Sequence, residues 1–512
     1  MDKMDKMIVK QGVTVLFLDM REIETASNAK LTVNPAKKCK ANPVLPLGDY
    51  SDWDGWRAAD WAGSVIYDQD EKLFKMWYYG QAGPYGETST GYATSKDGIW
   101  WDKPNLDIFP ANSKHNNIVF SHYDPSGLRF SEHFCVTKDY AEKDERKRYK
   151  ALTRVLTNEP IDGKTPRSFQ WASNVVYSAD GIHWTTSPHA VDGCVDMTNI
   201  MIDESDPGKR IKIYGCFGTP TRWSHTIMAY GPDMENLQMQ SEDPLLPPEE
   251  EATVHLLSGL QYKGYYLALY NYSLWTDYYG HTGNKDAVQA RSRDNRGPRD
   301  LRPGEGWGAF KANTRLAVSR NGISDFVKVN PSEAIIDRGD KGEWDDAFIV
   351  TSNPVVKDDE IYVFYTGHGE PSTSSPQRYN ISPTRSGLAK IERGRLTYLS
   401  SEDRLSTAVV TTIPMEFEQS GHLELRVNAG ELIPYRDWIE VEVIDPATNE
   451  PVSGFTRRDC QDIYVDGFDI VVTWNGSSSL ALKDTNRFKL RFFLHGKARL
   501  YSFAFERGKE NA

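Results

Sequence analysis

The chain has 512 residues, of which 39% are hydrophobic, 12% aromatic and 26% charged, with 60 basic against 72 acidic side chains for a net charge of −12. The length predicts more than one domain, and the aromatic content excludes a disordered chain. The acidic balance argues against a nucleic-acid partner, and no apolar run approaches the roughly 18 residues of a membrane span.

The N-terminus, Met1-Asp2-Lys3-Met4-Asp5-Lys6-Met7, is charged and lacks the long apolar stretch and small-residue cleavage site of a secretory signal, so a cytoplasmic protein is expected. Five cysteines, Cys39, Cys135, Cys194, Cys216 and Cys460, are odd in number and far apart. Without a C-x-x-C pair they suggest neither a zinc site nor a disulfide framework, and no cofactor or metal is expected. Calcium ligation by carboxylates has no supporting ligand spacing.

Strand patterns dominate, and two signatures alternate along the chain. One is a short aromatic-rich run: Lys75-Met-Trp-Tyr-Tyr-Gly80, Arg148-Tyr-Lys-Ala-Leu-Thr153, Arg210-Ile-Lys-Ile-Tyr-Gly215, Tyr265-Tyr-Leu-Ala-Leu-Tyr270 and Ile361-Tyr-Val-Phe-Tyr-Thr366. The other is a turn, clear at Ser95-Lys-Asp-Gly-Ile99, Ser178-Ala-Asp-Gly-Ile182 and Ser319-Arg-Asn-Gly-Ile323, with Trp101 and Trp184 following the first two, and with weaker fits at Met228–Asn236 and Gly387–Tyr398. Asp-Gly and Asn-Gly supply the left-handed positions of a tight turn. Five such units, each worth three or four strands, predict an all-β five-bladed β-propeller over 1–408, with an N-terminal extension over 1–50. From about 409 the repeat gives way to alternating segments at 422–428, 438–444, 468–474, 488–494 and 498–505, the pattern of a C-terminal β-sandwich.

In a propeller the innermost strand of each blade lines a central funnel. The predicted inner strands, 62–68, 134–139, 197–203, 253–260 and 348–356, are each preceded by a carboxylate: Asp60, Glu132, Asp196, Glu251 (with Glu250) and Asp346 (with Asp345). Converging carboxylates suit glycoside hydrolysis, which needs one protonated carboxyl as general acid and one ionised as nucleophile or base. A separation of about 5–5.5 Å gives retention of configuration and about 6.5–9.5 Å inversion. These five are the candidate catalytic residues. Trp56 and Trp61 could stack on sugar faces, while Arg57, His133, His255 and Asp345 could hold hydroxyls or tune a carboxyl, making these six the candidate substrate-binding residues.

Leu16-Phe-Leu-Asp19, Asn42-Pro-Val-Leu45, Trp53-Asp-Gly-Trp56, Lys75-Met-Trp-Tyr78, Tyr92-Ala-Thr-Ser-Lys-Asp-Gly-Ile99, Trp101-Asp-Lys-Pro-Asn105 and Asn116-Asn-Ile-Val119 resemble a group of bacterial proteins similar to glycoside hydrolase family 32. So do Ile439-Glu-Val-Glu-Val-Ile-Asp445, Gly454-Phe455, Asp459-Cys460 and Leu500-Tyr-Ser-Phe503 near the other end. The resemblance implies the five-bladed propeller of families 32, 43, 62, 68 and 117, whose members mostly act on furanosides or anhydrosugars. The family 32 signature W-M-N-D-P-N-G is absent: the first blade reads Arg57-Ala-Ala-Asp60-Trp61-Ala-Gly63. No R-D-P triplet stands at the second blade and no E-C pair at the third.

The resulting expectation is an exo-acting glycosidase on an oligosaccharide with a furanoside or unusual-sugar glycone, with Asp60 as nucleophile or base and Glu132 or Glu251 as general acid. The alternatives are a non-catalytic carbohydrate-binding propeller and a phosphorylase or transglycosylase on the same fold. Residues 275–310, with Arg291, Arg293, Arg296, Arg299 and Arg302 among Gly and Pro, form an insertion read as a lid or an arm for a homo-oligomer.

Overall fold

The computed structural model describes residues 6–83, 88–109, 111, 113, 116–121, 129–157, 170–192, 194–219, 222–240, 244–247, 253–274, 311–369, 384–417, 423–480 and 487–508. The 275–310 insertion and Glu251 lie outside them. Among these residues the protein is all-β, its helical turns being two short 3-10 turns at Glu145–Lys147 and Pro207–Lys209. Among the described residues no helix is long and apolar enough to cross a membrane. The chain divides into two compact units, one of residues 37–327 and 336–390, the other of 1–36, 328–335 and 391–512.

The larger unit is a succession of five antiparallel meanders. Their first strands, the predicted inner strands, are Arg57–Asp68, Arg129–Lys138, Cys194–Ile202, Thr253–Tyr262 and Phe348–Thr351. Each aromatic-rich run falls in the strand that follows: Leu73–Gln81, Tyr149–Thr157, Ile211–Thr219, Tyr265–Leu274 and Glu360–His368. Each Ser-x-Asp/Asn-Gly turn closes a third strand, at Thr88–Ser95, Gln170–Ser178 and Lys311–Ser319. The second and third meanders are separate four-stranded sheets. The fourth, fifth and first are continuous, joined by the parallel bridges Ala312↔Phe348 and Arg385↔Ala58.

The two sequence signatures meet between meanders. In each turn the serine hydroxyl accepts the glycine N–H, at 2.8 Å for Ser95–Gly98, 2.9 Å for Ser178–Gly181 and 2.8 Å for Ser319–Gly322. All three glycines have positive φ, which is why the position is glycine. The turn then docks on an aromatic side chain of another meander. Trp77 Nε1 donates to the Gly181 carbonyl and Tyr214 Oη to that of Gly322, both at 2.7 Å. A Cβ at Gly98 would meet Phe364 of the fifth meander at 3.1 Å. The alternation legible in sequence is therefore one repeated packing contact.

The smaller unit is a sandwich of two six-stranded sheets. Four of the five alternating segments form Leu423–Gly430, Ile439–Ile444, Arg487–Leu494 and Arg499–Arg507, and the remaining one forms Gly467–Val471. Both sheets bury their inner faces in one core containing Phe17, Val410, Leu425, Phe492 and Phe503. The first 36 residues, expected within an extension of the propeller, are part of this unit. Met7–Val9 pairs with Met415–Phe417 and Ile23–Ser27 with Ala408–Thr412, while Thr14–Leu16 pairs with Arg499–Arg507 and Ala29–Val33 with Thr397–Ser401.

Candidate functional site

In the first four meanders the leading end of the inner strand is broken by a β-bulge. Ala59 pairs with Tyr79 but Ser64 with Trp77, so residues 60–63 lie opposite Tyr78 alone. Phe130 pairs with Val155 but Phe134 with Thr153, leaving 131–133 opposite Arg154. The third inner strand slips twice, between Cys194 and Asp196 and between Asp196 and Thr198. In the fourth, 255–256 lie opposite Asn271. The backbones of Asp60 and Trp61, Glu132 and His133, Asp196, and His255 occupy these four irregularities, and their side chains lie outside the described residues. A bulge re-aims side chains and interrupts the ladder, and bulges concentrate beside active sites.

The fifth inner strand is led instead by a turn carrying Asp345 and Asp346, 2% and 6% exposed. Asp345 belongs to a framework that occurs twice. Its Oδ2 accepts from Lys38 Nζ at 2.7 Å and Tyr365 Oη at 3.0 Å; Asn42 donates to the same phenol, and Trp344 stacks on its ring. In the first meander Asp54 Oδ2 accepts from Lys103 at 2.6 Å and Tyr78 at 2.8 Å; Asn117 donates to that phenol and Trp53 stacks on it. Glycines make room for both indoles: a Cβ at Gly80 would reach 2.0 Å from Trp53, and one at Gly367 2.7 Å from Trp344. Asp345, expected to bind substrate, thus braces Lys38 and Tyr365 through its Oδ2. Trp53 is core for the same reason.

Asp346 Oδ2 accepts the Gly342 N–H at 2.7 Å, and the Asp346 carbonyl accepts from Arg338 Nη1 at 3.2 Å. Beside it lies His368, missed from the sequence because it ends an otherwise apolar strand and reads as an ordinary strand terminus. It is 2% exposed, and its ring stacks on Phe348 with centroids 5.1 Å apart. Burial, reinforced by the Arg57 and Lys311 charges and opposed by the Gly369 carbonyl and Asp346, lowers its pKa to about 4.

Among the described residues, several buried polar atoms near the leading ends have no hydrogen-bond partner: Trp56 Nε1, Thr153 Oγ1, Thr314 Oγ1, His368 Nε2 and Thr384 Oγ1. Such atoms are rare in native interiors, where each left unsatisfied costs about 1–3 kcal/mol.

The trailing ends of the inner strands contrast with this. The first three inner strands lead into a buried aspartate, Asp68, Asp139 and Asp203, met by a lysine from the next strand, Lys75, Lys150 and Lys212. The following meander contributes Lys138 and Tyr149 to Asp68, Arg210 to Asp139 and Tyr266 to Asp203. Burial alone would raise the pKa of these carboxyls, but their donors reverse it: all three are lowered, that of Asp203 to about 2. The trailing ends also line a cavity of about 360 Å³, to which all five meanders contribute: Tyr67, Lys138, Ile202, Gln261 and Asn353 are among its walls. The carboxylates expected at the funnel are at the opposite, leading ends. Among the described residues no three His, Cys, Asp or Glu side chains group as metal ligands.

No family model and no curated protein matches the chain. Its fold is similar to a glycosyl hydrolase from Bacteroides ovatus at 14% identity and a TM-score of 0.44, covering 70% of this chain and 94% of that one. It is similar to a member of glycoside hydrolase family 130, a family of mannoside phosphorylases that contains hydrolases acting on β-1,2-mannosidic linkages, at 14% identity and 0.41, covering 70% and 94%. It is also similar to a fructofuranosidase from Schwanniomyces occidentalis solved with fructosylnystose, at 10% identity and 0.39, covering 93% and 97%.

Proposed function

We propose that the larger unit closes as a five-bladed propeller and is a glycosidase acting at the leading ends of its inner strands. The observation that carries this reading is the coincidence of four β-bulges with the acidic and histidine positions Asp60, Glu132, His133, Asp196 and His255. The unpartnered polar atoms nearby support it, since a polyhydroxylated ligand supplies many donors and acceptors at once. Closure is supported by the cavity to which all five meanders contribute and by Gly98 of the first meander against Phe364 of the fifth. In this reading Asp60 is nucleophile or general base, Glu132 or Glu251 the general acid, and Asp196 and Asp346 hold hydroxyls or tune the carboxyls. The glycone is a furanose or unusual sugar removed from a chain end.

The test is hydrolysis of nitrophenyl furanosides and pyranosides, neutral and acidic, by wild type and Asp60→Asn. Release of one sugar, lost in the variant, supports the reading. Binding of sugars by calorimetry with no turnover across the panel points to a non-catalytic binding module.

A further inference from the structure

Among the described residues no first strand of a meander pairs with another first strand, and the second and third meanders are sheets of their own. Backbone groups on the sides of these strands away from their ladders need other partners. Four buried side chains supply them, each reaching from one first strand to the next. Ser64 Oγ accepts the Val136 N–H at 2.7 Å, Asn199 Oδ1 accepts the Gly259 N–H at 3.2 Å, and Ser258 Oγ donates to the Thr351 carbonyl at 3.2 Å. Between the second and third strands stands Cys135. Burial pushes its thiol up to about 11, opposed by the Ser64 hydroxyl, the Ile200 backbone and the Thr198 hydroxyl, so at neutral pH it is an uncharged packing group and not a nucleophile.

These contacts follow directly on the irregular leading ends. Ser64 is the first paired residue after the bulge at 60–63. Ser64 and Val136 each stand four residues beyond an acidic position, Asp60 and Glu132; Gly259 is four beyond His255, and Asn199 three beyond Asp196. A bulge interrupts the ladder just where a general acid and a nucleophile or base, borne by different meanders, must keep their separation. Misplacement by about 1 Å can cost about a hundredfold in rate. Short side chains bonded to the neighbouring strand's backbone leave little room for such a shift.

We propose that Ser64, Cys135, Asn199 and Ser258 form a belt of positioning residues that keeps the leading ends of neighbouring first strands in register and so sets the spacing of the groups at Asp60, Glu132, Asp196 and His255. This rests on the glycosidase reading for the chemistry of those groups, and adds how groups on separate sheets keep a common geometry.

The experiment measures kinetics on the nitrophenyl furanosides and pyranosides for the full chain and for Ser64→Ala, Asn199→Ala, Ser64→Thr and Ser178→Ala. Ser178→Ala is the matched control: it too deletes a hydroxyl that accepts a backbone N–H, but in a turn. Ser64→Ala and Asn199→Ala should each lower kcat by about tenfold to a hundredfold with KM within about twofold, Ser64→Thr should recover most of the loss, and Ser178→Ala should turn over as wild type does. Melting curves check folding, and if one belt variant fails to fold the other gives the same reading at a different joint. Turnover in Ser64→Ala and Asn199→Ala equal to that of Ser178→Ala would overturn the belt and leave the glycosidase reading standing. If wild type cleaves nothing, that reading falls and calorimetric binding of the parent sugars decides. Binding weakened by the belt variants and not by Ser178→Ala upholds the belt, whereas unchanged binding, or none in wild type, overturns it.

Discussion

The two ends of the inner strands are chemically opposite. At the trailing ends, Asp68, Asp139 and Asp203 are buried carboxylates whose hydrogen-bonding capacity is filled by lysines, tyrosines and an arginine from their own and the adjoining meander. At the leading ends four of the five strands bulge, and among the described residues buried donors and acceptors there lack partners. In the proposed glycosidase reading, the contrast separates carboxylates that join the framework from those assigned to chemistry. A buried charge helps hold a fold only when saturated, and a catalytic group needs capacity in reserve.

The comparison can be broken at either end. Lys212→Met strands Asp203, 0% exposed, without its lysine and should destabilise the fold by about 3–5 kcal/mol in denaturant titrations. Adding Asp203→Asn should recover part of that loss, because the stranded charge is removed. Asp60→Asn at the other end should lower turnover at least about a thousandfold, equivalent to about 4 kcal/mol, with little change in the denaturation midpoint. Activity above about a tenth of wild type would move the nucleophile or base elsewhere.

A third outcome is a pH dependence. His368 is lowered from 6.5 to about 4 in the folded protein, so between those values the unfolded chain binds a proton that the folded one does not. Stability should therefore fall as pH drops from about 6.5 to about 4, by about 3 kcal/mol, and His368→Gln should flatten that part of the profile. The smallest effect concerns the turns: Ser178→Ala removes the acceptor for the Gly181 N–H and should cost about 1 kcal/mol, read as a lower midpoint with activity unchanged.

Much of the framework was legible because its signals are local. The Ser-x-Asp/Asn-Gly turns and the aromatic runs each need only a few adjacent residues, and the strands fall where those runs are. The lysines Lys75, Lys150 and Lys212, each near the start of its strand, form buried ion pairs whose partners come from other strands. The site was less legible. Asp60, Glu132 and Asp196 could be named as residues leading inner strands, but a bulge breaks the period-two rule by which a sequence reports side-chain direction. Asp345 and Asp346 are adjacent in sequence, and only packing distinguishes them: Lys38 and Tyr365 bind Asp345, whereas Asp346 faces the group around His368.

By itself the sequence determined the all-β character and the fivefold repetition, since alternation and turn chemistry act over a few residues, while the C-terminal segment of the smaller unit begins at Ile391 and not at the expected 409. Only tertiary structure decided that the first 36 residues complete the sandwich and which carboxylates are saturated. It also decided which neighbouring strands Ser64, Asn199 and Ser258 tie together. Those pairings link residues up to several hundred positions apart, and a strand's own sequence does not specify which distant strand will satisfy its backbone and charges.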